Sequence, residues 1–507
     1  MRYALSALSG VLLALCFPRF NLPWLVWIAP LPLLLAVSHE PRLRRAYLLG
    51  ALAGAVFLAG SVYWFAGVME NYGHVSAPAA LVVMALFLIV DSSYWGFFAL
   101  TTAWLARRSG RLALIASPFV WVAMDLAQTY GYFGGFPWNL LGYAVQPNGL
   151  RQLASITGVY GLSFLALTTA ALAVAVLISE PTSRPRAAAV LALWIAGLII
   201  SNRLFAPPPP RAGQERAILV QPNIPLDESA EDWAPWKDPD RLNRLVSLTL
   251  DKLGQMPPGT TPPLLAWSEN PAPFYFGRDP VFRGAVEKLA RDAGAYLIVG
   301  AVNFVGGDES RPLNSAVALD PSGNVVVQYA KIHLVPFGEY VPVWLDHLVG
   351  KITSQAGNFV PGSSYAAARG SQGSIGIFIC YEEIFPQLVR RLAPRGRGVL
   401  VNISDDAWYG DSSASYQTMD MSRLRAVENH RWLLRATNDG ITSVIDPYGR
   451  VWETLPRHEQ AALGSTFDYE GQETFYHAYG DVFGGLCLAA AGVAAAVRVR
   501  VSGKPRQ

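Results

Sequence analysis

Charged residues are scarce in this sequence of 507 residues. They make up 15% of the chain, against about a quarter in an ordinary soluble protein, while 52% of the residues are hydrophobic. The formal net charge of +3 is small for this length and lacks the strongly basic character of nucleic-acid-binding domains. We therefore expect a protein that is not wholly soluble and has no nucleic-acid partner.

Signs of disulfides, metal sites and phosphate loops are also lacking. The chain has three cysteines, and two of them (Cys16 and Cys487) lie inside apolar segments, so no disulfide framework is predicted. The seven histidines are scattered without the spacing of metal ligands, and no glycine-rich phosphate loop occurs. We therefore expect neither a metal nor another cofactor.

Long apolar segments are abundant where charge is scarce. Seven of them, each near the roughly 17–25 residues that cross a bilayer, crowd the first 205 positions. They lie near residues 3–18, 22–38, 47–67, 79–104, 112–127, 153–178 and 187–204, and an eighth lies near 480–497. The pattern predicts a polytopic α-helical membrane bundle of eight spans: a seven-helix membrane domain at 1–205 and a further helix at 480–497.

The lysines and arginines between these segments indicate their orientation. If all eight segments span, the short loops on one side hold only Arg19 and Arg151, and thirteen basic residues fall on the side of both termini. Because basic residues remain in the cytoplasm, we expect both termini, with the tail at 498–507, to be cytoplasmic and residues 215–475 to be exported. The thirteen are Arg2, Arg42, Arg44, Arg45, Arg107, Arg108, Arg111, Arg184, Arg186, Arg498, Arg500, Lys504 and Arg506.

Residues 215–475 have an ordinary globular composition and follow a proline run at 207–210. Helix-like stretches at 240–252 and 281–292 lie between short apolar runs of β-type residues, an alternation that predicts strands covered by helices. Two Asp-Pro-x-Gly segments, at 320–323 and 446–449, predict hairpins. The apolar runs lie at 217–224, 263–269, 295–303, 374–380 and 398–404.

Cys380 ends the apolar run GIFIC, and two acids, Glu382 and Glu383, follow after a single tyrosine. A cysteine in this position is more often a buried structural residue. However, the next residues, YEEIFPQLVRRL, predict the start of a helix, and a helix N-terminus lowers a thiol pKa and offers amide donors for an oxyanion. Cys380 is also the only cysteine of the region 215–475. We therefore interpret it as a candidate nucleophile.

Glu269 and Lys331 end two further apolar runs, LLAWSE and VVVQYAK. The alternative for each is a solvated residue just beyond a strand. In layered α/β folds, however, sites assemble at the carboxyl ends of strands, so strands that end in Glu, Lys and Cys favour one shared site. A nucleophilic thiol needs a base and an oxyanion donor, and these are the roles we expect for Glu269 and Lys331.

The ordered residues Glu269, Lys331 and Cys380, within LLAWSE, KIHLVPFGEYVP and CYEEIFP, resemble the triad of the nitrilase (carbon–nitrogen hydrolase) superfamily. Together with the predicted spans and the segments FPWNLLGY, GVYGLS and FYHAYGD, they make the whole chain similar to the bacterial apolipoprotein N-acyltransferase family. The resemblance implies an αββα nitrilase-like catalytic domain at 215–475, on the periplasmic side of the cell inner membrane. It also implies acyl transfer from a membrane phospholipid, through a thioester on Cys380, to the N-terminal amine of a diacylglyceryl-modified apolipoprotein.

The resemblance carries further residues into the site. Glu339, in PFGEY, is implied beside the triad, where it would hold the lysine or assist proton transfer. Tyr381 and Glu382 are implied as supporting residues after the nucleophile, and Trp236 as a residue that contacts substrate. His333 is expected to be a packing or hydrogen-bonding residue. We also expect the enzyme to be a monomer.

Two segments and two alternative functions remain open at this point. The loop 404–418 departs from the family pattern, because Asp405 stands where Asn is expected and the expected Pro and His near Tyr416 and Thr418 are missing. The segment 341–359 is either a lid that dips into the headgroup region or a helix on the domain core. A membrane-anchored amidase or nitrilase would use the same triad with water as acceptor, whereas a non-enzymatic scaffold would not need Cys380.

Overall fold

A computed structural model of the chain describes residues 1–71, 75–225, 240–269, 275–307, 310–336, 338–340 and 359–502. The predictions for Trp236 and for nearly all of 341–359 therefore lie outside the described residues. The chain divides into two compact units. The first comprises Met1–Ala66, Pro78–Pro208 and Ala478–Gln507, and the second comprises Gly67–Ala77 and Pro209–His477.

The first unit consists mainly of apolar α-helices. In the described residues, six helical stretches are long and apolar enough to cross a membrane: Leu43–Ser61, Ala77–Ala106, Gly110–Tyr130, Val159–Ile178, Arg184–Leu204 and Val482–Val499. Two shorter apolar stretches, Arg2–Cys16 and Pro23–Ser38, correspond to the first two predicted segments. All eight predicted segments are thus helical, and six of them have the length of a span.

The helices of the amino-terminal part are α1 (Arg2–Cys16), α2 (Leu31–Ser38), α3 (Leu43–Ser61), α4 (Trp64–Asn71), α5 (Ala77–Asp91), α6 (Ser93–Ala106), α7 (Gly110–Tyr130), α8 (Asn148–Arg151), α9 (Ala154–Thr157), α10 (Val159–Ile178) and α11 (Arg184–Leu204). Several boundaries differ from the prediction, and two of them are instructive. The fourth segment is two helices that meet at Ser92. The sixth begins at Val159 because Gly158 has a φ of 64°, a backbone conformation that ends one helix before the next begins.

Close helix packing and exposed apolar faces characterise this unit. A Cβ atom at Gly50 of α3 would lie only 2.6 Å from the Cβ of Ala99 on α6, so glycine allows these two helices to approach. No residue of α11 is buried, and between its terminal arginines the large exposed side chains, such as Leu193 and Ile199, are apolar. A helix with apolar residues on its exposed face is compatible with a membrane span.

The second unit contains two six-stranded sheets. The first has the order β12-β1-β2-β3-β4-β5 and the second the order β11-β10-β9-β8-β7-β6. Strands β1, β2 and β3 are parallel to one another, as are β7, β8 and β9. The strands are β1 (Glu215–Gln221), β2 (Leu264–Trp267), β3 (Tyr296–Phe304), β4 (Pro312–Leu319), β5 (Val325–Ala330), β6 (Ala368–Arg369), β7 (Ser374–Ile379), β8 (Gly398–Ser404), β9 (Leu433–Thr437), β10 (Ser443–Ile445), β11 (Val451–Thr454) and β12 (Ala461–Phe467).

Helices cover the outer faces of these sheets, which confirms the predicted α/β layering. Helix α12 (Arg241–Gln255) and helix α13 (Pro280–Ala293) contribute to the core under the first sheet. Helix α13 begins where the Asp279 carboxylate accepts the amides of Val281 and Phe282, and it ends at Gly294 with a φ of 54°. The other helices are α14 (Pro386–Leu392), α15 (Ala414–Asn429), α16 (Phe475–Tyr479) and, in the first unit, α17 (Val482–Ser502).

Both predicted hairpins are confirmed. Asp320 and Asp446 each accept hydrogen bonds from two backbone amides within their own turn, at 2.9–3.0 Å. Gly323 and Gly449 occupy the last position of each Asp-Pro-x-Gly turn, with φ of 78° and 76°. The first hairpin joins β4 to β5, and it therefore fixes the direction in which β5 delivers Lys331 to the edge of the sheet.

Candidate active site

The three predicted strand ends meet at one buried site. Glu269 follows β2 and Lys331 follows β5, and these two strands point the same way because β4 runs antiparallel to both β3 and β5. Cys380 follows β7 in the other sheet. All three residues are buried, with 1% of Lys331 and 6% of Cys380 exposed. The sheets thus bring together residues that are far apart in the sequence.

Lys331 joins two carboxylates. Its Nζ lies 3.0 Å from Glu339 Oε1 and 3.5 Å from Glu269 Oε1. The desolvation of the buried ammonium opposes its charge, but the two carboxylates outweigh this effect and raise the pKa of Lys331. The lysine is therefore a fixed cation at neutral pH.

Glu269 is held by two further donors. Asn314 Nδ2 donates to its Oε1 at 2.7 Å, and the backbone N–H of Asp405 donates to its Oε2 at 3.0 Å. Asn314 Nδ2 also lies 2.6 Å from Glu339 Oε1, and the Glu339 Oε2 accepts the amide of Val335 at 2.8 Å. Both carboxylates are therefore fixed in orientation before any substrate binds.

Cys380 occupies a tight turn with a φ of 48°, in the left-handed region that non-glycine residues rarely adopt. The prediction that a helix starts directly after Cys380 is wrong. A single 3₁₀ turn spans Cys380–Ile384, Phe385 is extended, and α14 begins at Pro386. The physical reason is the proline, because the residue before a proline disfavours helical backbone.

The thiol of Cys380 is protonated at rest. Burial raises its pKa well above the usual value, and the negative charge of Glu269 raises it further. The ammonium of Lys331 acts in the opposite direction, as does a hydrogen bond from the Ser404 hydroxyl. The sequence led us to expect a helix N-terminus that would lower the pKa of this thiol, but no α-helix starts at Cys380. The thiolate can therefore form only by proton transfer to a neighbouring base.

Glu382 connects the turn that contains Cys380 to the strand that precedes Lys331. Its Oε1 accepts the amides of Ile332 and His333 at 2.7 and 3.1 Å, and its Oε2 accepts the amide of Ile379 at 2.8 Å. The Tyr329 hydroxyl donates to the same carboxylate. Burial raises the pKa of Glu382 to about 7.

Glu383 faces the opposite way, into the second sheet. Its Oε1 lies 3.2 Å from Arg435 Nη2, and its Oε2 accepts the Ser422 hydroxyl at 2.5 Å. The same Arg435 nitrogen lies 3.0 Å from both carboxylate oxygens of Asp406, whose Oδ1 also accepts the Ser404 hydroxyl at 2.7 Å. A buried ion-pair cluster of Glu383, Arg435 and Asp406 therefore supports the turn that contains Cys380.

The loop 404–418 is built around this cluster. Asp406–Tyr409 forms a 3₁₀ turn and α15 starts at Ala414. Thr418 accepts a hydrogen bond from Arg435 Nη2 at 3.1 Å. It lies in the region where the family resemblance leads us to expect a histidine. Tyr416 is exposed and lies under the Arg457 guanidinium.

Aromatic residues cover the other side of Cys380. The ring of His333 packs on Phe385 with centroids 3.6 Å apart, and Tyr381 contacts the same ring edge-on at 5.2 Å. Burial and the Lys331 charge lower the pKa of His333 to about 4, so this histidine is neutral at neutral pH. Among the described residues, no three or more His, Cys, Asp and Glu side chains are grouped to hold a metal ion.

Sequence reasoning missed Asn314 and Arg435. Both are polar residues inside short strands whose other members are largely apolar, RPLNSAVAL and LLRAT. A buried polar side chain requires a partner, so each could have been singled out as belonging to a network. The identity of the partners was beyond reach, because Asn314 joins two glutamates that come from different strand ends.

Comparisons with known proteins cover nearly the whole chain. The family model described as the apolipoprotein N-acyltransferase N-terminal domain matches residues 9–172, and the carbon-nitrogen hydrolase model matches residues 264–469. A protein from Geobacter metallireducens named apolipoprotein N-acyltransferase is 39% identical, over 98% of this chain and 95% of its own length. A protein of the same name from Chlorobaculum tepidum is 29% identical, over 98% and 96%. A solved amidase from Nesterenkonia sp. is 20% identical with a TM-score of 0.38, over 52% of this chain and 93% of its own.

Proposed function

Because the chain belongs to the apolipoprotein N-acyltransferase family, we propose that it transfers an acyl chain from a membrane phospholipid to the N-terminal amine of a diacylglyceryl-modified apolipoprotein. The observation that carries this proposal is the buried group of Glu269, Lys331 and Cys380 in a chain whose relatives of that name match it from end to end. The same group in a hydrolase would use water as acceptor. The whole-chain relatives favour the transferase.

The first half-reaction makes a thioester. Glu269 accepts the proton of the Cys380 thiol, and the sulfur attacks the ester carbonyl of the phospholipid. Negative charge moves from Glu269 to the carbonyl oxygen, where the Lys331 ammonium and the backbone N–H of Tyr381 stabilise it. The ester bond then breaks, Glu269 returns the proton to the leaving oxygen, and a lysophospholipid departs. Because the resting thiol is neutral, this proton transfer is obligatory.

The second half-reaction makes the amide. The amine of the lipoprotein attacks the thioester carbonyl, and the oxyanion forms again beside Lys331. Glu269 takes a proton from the attacking nitrogen, and the Cys380 sulfur leaves and is reprotonated. Glu339 holds the lysine through both steps, and Glu382 holds the turn that carries the sulfur.

The membrane arrangement follows from the substrates, both of which are anchored in lipid. We propose eight spans, seven in the domain at 1–205 and one at 480–497, with a cytoplasmic tail at 498–507. The catalytic domain at 215–475 then lies on the periplasmic side of the inner membrane, where diacylglyceryl-modified lipoproteins are exposed. The excess of basic residues on the side of the termini supports this orientation. The enzyme is proposed to act as a monomer, with Trp236 in contact with substrate.

Intact-mass analysis tests the proposal directly. The full-length protein is incubated in detergent with phospholipid alone and is expected to gain the mass of one acyl chain, which the Cys380→Ala protein does not gain. Addition of a diacylglyceryl-modified peptide should then remove the adduct and yield an acylated peptide. Release of free fatty acid, without acylated peptide, would identify a hydrolase instead.

A further inference from the structure

Asp405 is a buried acid that the mechanism above does not use through its side chain. It follows directly after β8, and only 3% of it is exposed. Its Oδ1 accepts the Asn438 amide at 3.0 Å and the backbone N–H of Ala407 at 3.2 Å. Within the described part of the chain, no cationic nitrogen lies within ion-pair distance of this carboxyl group.

The surroundings of Asp405 are poor in positive charge. Glu269 and Glu339 both lie against the Lys331 ammonium and share its single charge. Asp405 is next to Glu269, because its own N–H donates to Glu269 Oε2 at 3.0 Å. Three carboxyl groups therefore accompany one lysine; Glu269 and Asp405 are buried, and the Glu339 side chain is 13% exposed. Ionisation of all three would leave an uncompensated charge in a site of low dielectric constant.

The other charged groups that face Asp405 do not supply the missing cation. Asp439, two residues beyond β9, is a further acid close enough to act on it. Arg457 and His458 are the nearest basic side chains on that side, and both contact Asp439, at 3.8 and 3.3 Å. Asp405 thus faces two acids and two neutral donors.

We propose that Asp405 is a positioning residue that keeps its proton in the folded protein, and that as a neutral acid it leaves Glu269 as the ionised base beside it. Since Oδ1 already accepts two hydrogen bonds, the proton is carried on Oδ2. Burial raises the pKa of Asp405 well above its usual range, and the charge of Glu269 acts in the same direction. A protonated aspartic acid has the shape and zero charge of asparagine, the residue that the family resemblance leads us to expect at this position.

Unfolding measured as a function of pH tests the protonation and does not depend on the proposed activity. An aspartate with a raised pKa in the folded state stabilises the fold below its unfolded pKa of about 3.9 and loses this contribution as pH rises. The unfolding midpoint of Asp405→Asn should therefore match the parent near pH 4 and move above it as pH increases to 9. Asp251→Asn, on the exposed face of α12, serves as the control. A difference that is flat or falls with pH overturns the proposal.

Acylation of Cys380 by phospholipid tests the positioning role and rests on the proposed function. Asp405→Ala removes the acceptor for Asn438 and Ala407, and misplacement of Glu269 should lower the acylation rate by about tenfold or more. Asp405→Asn should recover most of that loss, because a neutral amide replaces a neutral acid. Equal defects in the two variants would show that the carboxylate charge is required, against the proposal. If the parent itself forms no acyl adduct, the proposed function fails, and the unfolding comparison still decides the state of Asp405.

Discussion

The hydroxyl of Tyr329 contacts both carboxylate oxygens of Glu382, at 2.7 and 2.8 Å. Tyr329 lies in β5, two residues before Lys331, and Glu382 lies two residues after Cys380. This hydrogen bond therefore connects the strand that precedes Lys331 to the turn that contains Cys380. It fixes the separation of the two groups without contacting the substrate.

Removal of the Tyr329 hydroxyl should affect both stability and acylation. Tyr329→Phe leaves the buried Glu382 without this donor, a loss that typically costs roughly 1–3 kcal/mol of unfolding free energy. Because Lys331 and Cys380 lose a shared support, the rate of acyl-adduct formation should fall by about 10–100-fold. Tyr275→Phe, at an exposed position, is the matched control for loss of a phenol. An unchanged acylation rate in Tyr329→Phe would mean that the turn is positioned without this contact.

Charge alone should not be sufficient at Lys331. Arginine keeps the positive charge, but its planar guanidinium cannot place a compact ammonium between Glu269, Glu339 and the oxyanion. Lys331→Arg should therefore slow acylation by about 10²–10³-fold, the usual loss for one oxyanion donor. Lys288→Arg, on the exposed face of α13, should have no effect. Turnover close to that of the parent would identify Lys331 as a purely structural cation.

Glu269 should be required in both half-reactions. In Glu269→Gln the amide cannot accept the thiol proton, so no acyl adduct should form from phospholipid. If Cys380 is acylated chemically in this variant, the thioester should persist when the lipoprotein acceptor is added, while the same thioester in the parent disappears as amide accumulates. Intact mass follows both reactions. Equal discharge rates in the two proteins would make Glu339 the better candidate for the base.

Acid should destabilise the fold through His333. Its pKa is lowered to about 4 in the folded protein, so the neutral ring stabilises the fold above the unfolded pKa of about 6.5. That contribution is lost as pH falls from about 6.5 to about 4, with a slope of up to ~1.4 kcal/mol per pH unit. In His333→Gln this slope should be shallower, as seen by chemical unfolding across that range. An unaltered slope in His333→Gln would contradict the assignment.

The orientation of the membrane domain can be tested with fusions. A reporter that is active only outside the cytoplasm should work when fused after Gly213 and fail when fused after Arg506. The reason is the accumulation of basic residues on the side of both termini. The opposite result would invert the proposed eight-span arrangement.

The sequence was sufficient to predict that Glu269, Lys331 and Cys380 share a site, because each follows an apolar strand. It did not indicate that Cys380 comes from a different sheet than the other two. It was insufficient for Asn314, Asp406 and Arg435, since their roles depend on which strand lies opposite which. The hydrophobic periodicity of a segment predicts its own secondary structure but not which distant segment it pairs with. The prediction of a helix after Cys380 was wrong for a local reason, because the two acids suggested a first helical turn but Pro386 forces Phe385 to be extended.

The apolar helices of the first unit were largely predictable because their length and hydropathy define them. Their internal breaks were not. The separation of α5 from α6 at Ser92 lies inside a stretch of 30 residues that is apolar enough, as a whole, to be taken for one segment. Residues with special backbone angles, such as Gly158, mark such breaks only once the neighbouring helices are known.

Glu382 and Glu383, which are adjacent in sequence, bind residues of opposite sheets. The geometry of the turn at Cys380 therefore depends on the distance between the two sheets. Glu382 is bound to Tyr329 of the first sheet, and Glu383 is bound to Arg435 of the second. A small widening of this gap must break one of the two contacts and tilt the sulfur, well before either sheet loses its own strand pairing. Turnover should therefore vanish at a lower denaturant concentration than the far-ultraviolet signal of the strands, so that the catalytic assay detects loosening of the sandwich that spectroscopy of its secondary structure does not.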